Sequence, residues 1–278
     1  MSKEYLIPKE KLMDQTSTMA MNDQYGIQVY GITDTKKAKE LLPAPLELLS
    51  DEKPMFYAYI VNIRKPTFAP GYMEGGIGIL ARYGELTGVY FLGLQLSGPG
   101  AMTGAFLGRE SSGLPKKICE KIVVDRKDDE GHCYIERSGV RLIDVKLKMG
   151  TYNEESFSQP QEGCFAEKPI ETTGGCFLHK FNVANIAASG LKMVYYNGPT
   201  RFRSWEKATA SVKLNSSHDD RWGALPFVKV LGAGWMVSDN WVTGLDEVYN
   251  YSKKEIIPAV QVLFPGRWDR SLLGNNHQ

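Results

Sequence analysis

Between Gln24 and Tyr251 the chain is cut into short apolar runs that alternate with polar residues or are rich in β-branched and aromatic side chains, with glycine, proline and Asx turns between them. A period of two does not gather on one face of a helix, and this patterning limits the fold more than any other feature of the sequence. Gln24 to Thr33 puts Tyr25, Ile27, Val29 and Gly31 on one face of a strand. Met55 to Ile63 is aromatic and β-branched, as a half-buried sheet surface requires. After breaks at Pro66, Pro70 and Gly71 and a loop over Tyr72 to Gly76, the stretches Ile77 to Ala81 and Val89 to Leu96 predict two more strands. Lys121 to Asp125, Cys133 to Arg137 and Arg141 to Met149 follow, joined by turns at Asp128-Asp129-Glu130-Gly131 and Ser138-Gly139. Phe177 to Phe181, Leu191 to Tyr196, Val228 to Val237 and Asn240 to Tyr251 continue the series, with Asn197-Gly198 as a strong turn signal. One short helix is expected at Lys36 to Leu42, capped by Thr33-Asp34-Thr35 and ended by Pro43-Ala44-Pro45. The fold class is therefore mainly β (α+β), an antiparallel body with few short helices.

The 278 residues suffice for one sizeable core, and a single domain over residues 1–278 is expected, with residues 1–22 as a polar, Met-rich N-terminal arm. Residues 151 to 175, rich in Glu, Gln, Thr, Gly and Pro, read as a long loop within it. Lys and Arg number 33 against 32 Asp and Glu, a balance that argues against nucleic acid or an anionic membrane as partner and toward a small molecule. The N-terminus has no signal pattern and no apolar run reaches the ~18 residues of a membrane span, so a soluble, cytoplasmic protein is expected. Cys119, Cys133, Cys164 and Cys176 include no C-x-x-C pair and read as buried free thiols. His132, His179, His218 and His277 lack metal-ligand spacing, so no metal is expected. The glycines of Gly75-Gly76-Ile77-Gly78 and Gly232-Ala233-Gly234 do not open helices and read as bends rather than phosphate loops.

The stretch with chemistry in it is Gly108-Arg109-Glu110-Ser111-Ser112-Gly113-Leu114-Pro115-Lys116-Lys117, in which two adjacent lysines sit between apolar Leu114 and Ile118. A lysine at its ordinary pKa of ~10.4 is a free amine only about four times in ten thousand at pH 7. Desolvation or a neighbouring cation disfavours an ammonium, and a fall to roughly pH 7 in the titration of a lysine multiplies its nucleophilic fraction about a thousandfold. Such an amine attacks a ketone to form an iminium. If the segment is extended, Lys116 and Lys117 point to opposite faces, so the activation expected for Lys116 is burial more than repulsion from Lys117.

This stretch resembles the signature of the acetoacetate decarboxylase family, Gly-Arg-Glu followed by a short spacer and Pro-Lys-Lys, in which the first lysine after the proline forms a Schiff base. Tyr72-Met73-Glu74-Gly75-Gly76 is similar to the family's Tyr-x-Glu-x-Gly, and Asn197-Gly198-Pro199-Thr200-Arg201 to its Thr-Gly-Pro-Thr-Arg turn. Pro43-Ala44-Pro45-Leu46-Glu47 and Glu247-Val248-Tyr249-Asn250-Tyr251 resemble its early Pro-x-Pro-Leu-Glu and its tail, so the matches run in order from residue 22 to about 251. The resemblance implies a β-barrel or cone embedded in larger antiparallel sheet, commonly a homo-oligomer. It further implies Lys116 as the nucleophile, Lys117 as a neighbouring cation and Glu74 as an acid-base group. The iminium would accept the electron pair released as a β-carboxylate leaves as carbon dioxide, a reaction that needs no metal or organic cofactor.

Two positions depart from the family. Its Asn-Arg-Glu-Tyr stretch, whose arginine handles the substrate carboxylate, reads Asn22-Asp23-Gln24-Tyr25 here. Two like charges at ~4 Å interact by about 4 kcal/mol at an effective dielectric of 20, so Asp23 would oppose a small keto acid at that place. Leu114 stands where the family has tyrosine and makes that edge of the pocket more apolar. Three readings follow: decarboxylation of a β-keto acid with Arg64 or Arg82 replacing the lost arginine; a different iminium reaction such as aldol, retro-aldol, dehydration or cyclisation; and binding of an apolar carbonyl ligand without turnover.

Overall fold

The computed structural model describes residues 6–11, 19–181 and 190–274. Fifteen strands form a single sheet, and its hydrogen-bonded path runs β15-β12-β11-β5-β4-β3-β1-β14-β13-β9-β8-β7. The strands nearest the site are β1 (Ala20–Thr33), β3 (Met55–Pro66), β4 (Tyr72–Tyr83), β5 (Leu86–Ser97) and β6 (Lys116–Ile118). β2 (Glu47–Leu48) pairs with β4, and β10 (Ile170–Thr172) with β13. β7 (Lys121–Lys127), β8 (Glu130–Arg137) and β9 (Val140–Met149) form one end of the path, and β11 (Gly175–Phe181), β12 (Leu191–Asn197) and β15 (Gly244–Asn250) the other. β13 (Thr200–Leu214) and β14 (Phe227–Trp241) join the halves through β1. The path does not close on itself. It curls instead, so that β7 packs against β3, β4 and β5.

Burial follows from the period of two. One face of β1, β3 and β4 carries Ile27, Val29, Ala58, Ile60, Ile77 and Ile79, which share the main core with Cys133, Ile135, Ile143 and Val145 from the strands curled over them. The opposite face of the same strands carries Gln28, Tyr59 and Glu74 and forms the floor of a cavity. A sheet covered on both sides in this way has little freedom of register.

Most strands outrun the alternation that announced them, and some segments differ from expectation. Tyr72 to Gly76, expected as a loop, opens β4, where both neighbouring strands supply hydrogen bonds. β13 has no counterpart in the expected series, because Arg201, Arg203, Glu206 and Lys207 interrupt its apolar positions. Two pairings are parallel, β5 with β6 and β5 with β11. Helices are few: α1 (Thr35–Leu41), capped by Asp34 as expected, α2 (Ala101–Phe106), and α3 (Lys253–Arg267). α3 lies beyond the last expected strand and starts at a capping box of Ser252 and Glu255. Among the described residues no helix is long and apolar enough to cross a membrane, and no His, Cys, Asp or Glu side chains gather in a group that could hold a metal ion. The four cysteines are free and buried. Residues 1–5 and 12–18 of the expected arm, and His277, lie outside the described residues.

Candidate active site

Lys116 is delivered by a sharp change of backbone. α2 runs into a π-helical turn, Leu107–Ser112, which holds Gly108-Arg109-Glu110. Gly113, at φ 88°, caps it in the left-handed region that a side chain would strain. Leu114 and Pro115 then lead directly into β6, which pairs parallel to β5 with Leu94 opposite Lys116 and Gln95 opposite Lys117. The register continues across the sheet: Leu94 faces Gly76, Gly76 faces Tyr59 and Tyr59 faces Gln28. Gln28, Tyr59, Leu94 and Lys116 thus stand in one cross-strand row.

The Lys116 amine lies 2.7 Å from Glu74 Oε2 and donates to the Gly104 carbonyl at 3.4 Å. Both partners of the pair are sealed, Lys116 being 3% exposed and Glu74 4%. Gly108 makes this placement possible, since a Cβ there would meet Lys116 Cδ, Cε and Nζ at 2.8 to 2.9 Å. The second oxygen of Glu74 accepts a 2.6 Å hydrogen bond from the Tyr59 hydroxyl. Burial, followed by the Glu74 charge, holds the Tyr59 phenol well above its ordinary range, so it stays a neutral donor. One carboxylate therefore spans an amine and a phenol. A proton crossing from Lys116 to Glu74 leaves a neutral amine beside a neutral acid, the two forms needed to add to a carbonyl and expel water.

The cavity above this pair has a volume of about 430 Å³. Its walls are largely aromatic and apolar, with Tyr57, Phe91, Leu94, Leu114, Tyr196 and Phe202 among them, and its polar groups other than the pair are uncharged. Lys116 and Glu74 are the charged residues lining it among those described.

Leu114 lies on the wall as the sequence suggested, but Asp23 and Arg64 are not among the lining residues. Asp23 sits at a bulge of β1 with φ 56° and turns away to Arg64 at 2.9 Å and Arg203 at 2.7 Å. Burial pushes the Asp23 carboxyl up, but hydrogen bonds from Arg203 and the charge of Arg64 prevail and hold it below its usual range. Arg64 also stacks over Tyr25, and Arg82 pairs with Glu47. Neither arginine replaces the one expected at the site.

Lys117 leaves β6 on the other face. Its amine donates to the Asp219 carbonyl at 2.8 Å and pairs with Asp220 at 3.2 Å and Asp269 at 3.0 Å. Arg137 bridges the same two carboxylates at 2.7 Å each, and Gln95 donates to Asp220 at 3.0 Å. The lysine expected as a neighbouring cation is thus the centre of a separate buried ion cluster, with its charge offset by two acids.

Sequence reasoning missed Tyr59 and the two acids. The spacing of Tyr57 and Tyr59 within β3 was a usable signal, because it puts two phenols on one face. Asp220 and Asp269 come from distant loops and carry no such signal.

Residues 7–252 match the acetoacetate decarboxylase family. The chain is 33% identical over 265 residues to the CLA biosynthesis isomerase of Lactiplantibacillus plantarum, which covers 91% of this chain and 90% of that one. An acetoacetate decarboxylase structure superposes with a TM-score of 0.70 at 15% identity, covering 89% of this chain and 100% of the other. The enduracididine biosynthesis enzyme MppR, complexed with pyruvate, superposes with a TM-score of 0.61 at 12% identity over 90% of this chain and 95% of its own. Identities so low in the two structures speak for the fold alone, whereas the sequence match spans nearly the whole chain: it belongs to the acetoacetate decarboxylase family.

Proposed function

We propose that the protein is a Schiff-base enzyme that moves a double bond in an apolar carbonyl compound, with Lys116 as nucleophile and Glu74 as the proton carrier. The observation that carries this reading is the 2.7 Å Lys116–Glu74 pair, the only charged groups lining the cavity among the described residues. A β-keto acid brings a carboxylate into the cavity, where Glu74 would repel it and no arginine would receive it. A ketone with a β,γ double bond brings no charge to the reacting carbons. The relative named as an isomerase supports the same preference.

The steps balance without a further reagent. The Lys116 amine adds to the carbonyl and water leaves, giving an iminium. Glu74 takes a proton from the carbon between the iminium and the double bond, and the electron pair spreads into a dienamine. Return of the proton at the far carbon gives the conjugated iminium, and water releases the enone and restores the amine. Tyr59 holds Glu74 in place through both transfers. Decarboxylation is the second reading, favoured by the family match.

Borohydride trapping with β,γ-unsaturated ketones, followed by mass mapping, tests the first step: the adduct is expected on Lys116 and absent from Lys116→Met. A ketone deuterated at the α-carbon should carry label to the γ-carbon of the product. Carbon dioxide release from a β-keto acid panel, without any double-bond shift, would overturn isomerisation in favour of decarboxylation. Failure to trap any ketone would remove the iminium and leave a binding protein.

A further inference from the structure

Away from the reacting pair, the cavity wall holds a group of uncharged polar side chains that the proposed chemistry does not use. Gln28 and Tyr30 project from β1 on the cavity face, and the Tyr30 hydroxyl donates to Gln28 Oε1 at 3.0 Å. Gln161 reaches the same place from the loop between β9 and β10. It is 2% exposed, and its buried amide reaches the Tyr30 hydroxyl without a hydrogen bond of normal geometry, which leaves at least one of its two N–H groups without a partner. Burying an amide N–H without a partner costs about 1–3 kcal/mol, so its retention inside a ligand cavity points to a group supplied from outside.

The loop carrying Gln161 is fixed, which makes this a built site. Glu162, the next residue, pairs with Lys207 at 2.5 Å and accepts from the Tyr152 hydroxyl at 3.0 Å and the Gln159 N–H at 2.7 Å. Tyr152 in turn accepts from Trp205 Nε1 at 2.9 Å. Gln161 is thereby held against the cavity and away from solvent.

We propose that Gln161, Gln28 and Tyr30 form a second subsite that recognises an uncharged oxygen function on the substrate, a hydroxyl, ester or amide, distant from the reacting carbonyl. Amide N–H groups offer donors to such an oxygen. A carboxylate would be stripped of water here without meeting a cation, a balance that disfavours it. The geometry sets the span of the molecule. Glu74 stands on β4 and Gln28 on β1, two strand spacings apart and two residues along from one another, so the oxygen lies about 12 Å from the reacting carbons. The substrate class is then a bifunctional ketone with an apolar chain between two oxygen functions. The reading of the catalytic pair given above supplies the first of these; the subsite supplies the second.

The test separates the two. Three ketones with one chain length and a terminal methyl, amide or carboxylate group about 12 Å from the carbonyl are bound to Lys116→Met, which cannot form an imine, and followed by calorimetry. The amide compound should bind about five- to tenfold more tightly than the methyl compound, the effect of one or two neutral hydrogen bonds, and the carboxylate should bind no better than the methyl compound. Adding Gln161→Leu or Gln28→Leu should erase the amide preference while leaving the methyl compound's affinity within about twofold. Equal binding of the three ketones, or preference for the carboxylate, would overturn the subsite without reference to either glutamine variant. Borohydride trapping of the methyl ketone on the wild-type protein reports separately on Lys116, so failure there leaves the subsite result standing.

Discussion

Replacing Asp220 by alanine removes the acid at the centre of the cluster behind β6, and the consequence can be worked from the contacts. Asp220 is 2% exposed and holds Lys117 at 3.2 Å, Arg137 at 2.7 Å and the Gln95 amide at 3.0 Å. Without it, two buried cations share the single carboxylate of Asp269 and Gln95 loses its acceptor. Breaking a buried pair by removing one partner costs about 3–5 kcal/mol. That is a large part of the roughly 5–15 kcal/mol that holds a domain together, and it corresponds to a fall in Tm on the order of 10 °C. Urea and thermal unfolding of Asp220→Ala measure it directly. Asp220→Ala combined with Arg137→Met should recover part of the loss, because it also removes one of the stranded cations. A variant within about 1 kcal/mol of wild type would refute the assignment of the cluster as a structural element. So would loss of activity with unchanged stability, which would return Lys117 to a part in the chemistry.

Glu74→Gln keeps the shape of the pair but cannot carry a proton, so trapping of a ketone on Lys116 should persist while turnover falls about 10²–10⁴-fold. Tyr59→Phe removes a charge-assisted hydrogen bond and should lower kcat about tenfold or more with little change in KM. Gly108→Ala places a methyl 2.8 to 2.9 Å from the Lys116 side chain and should suppress borohydride trapping while costing about 1–3 kcal/mol of stability. His179 is buried against Tyr251 at 3.0 Å, and burial, aided by the Arg267 cation, holds its imidazole down to about 3. Its folded form is therefore neutral at pH values where the unfolded form, near 6.5, takes up a proton, so the stability it gives is full above that value and is lost as pH falls toward 3. Urea midpoints should show about 2 kcal/mol lost between pH 7 and pH 5 in the wild type and a flatter profile in His179→Gln.

The strands that build the cavity floor were readable because each carries its own local pattern: the alternation of Tyr25 to Val29 and the aromatic and aliphatic runs of Phe56 to Val61 and Val89 to Leu96 declare a sheet without reference to any distant residue. Lys116 and Glu74 were readable because both lie within short local patterns. What the sequence did not disclose came from elements that meet only in the folded chain. Asp220 and Asp269 reach Lys117 from positions 103 and 152 residues further on. The bulge that turns Asp23 outward depends on β14 and β13 as much as on β1, and so the reversed charge at that position was wrongly placed at the cavity. Gln161 sits in a loop whose composition suggested only length. α3 was hidden for a different reason, since Pro258 and Pro265 interrupt the pattern that would announce a helix.

The two neighbouring lysines have a consequence of their own. Lys116 and Lys117 have the same side chain and differ only in which side of a three-residue strand they leave. A slip of one position between β6 and β5 would exchange them, sending the wrong amine to Glu74 and the nucleophile into the acids behind the sheet. Composition alone cannot tell the two arrangements apart, so the surroundings must. Gly108 leaves room for a lysine only at one place, and Asp220, Asp269 and Arg137 close around a lysine only at the other. The ion cluster behind the strand thus works as an alignment key, choosing by position which of two chemically equivalent amines meets the substrate.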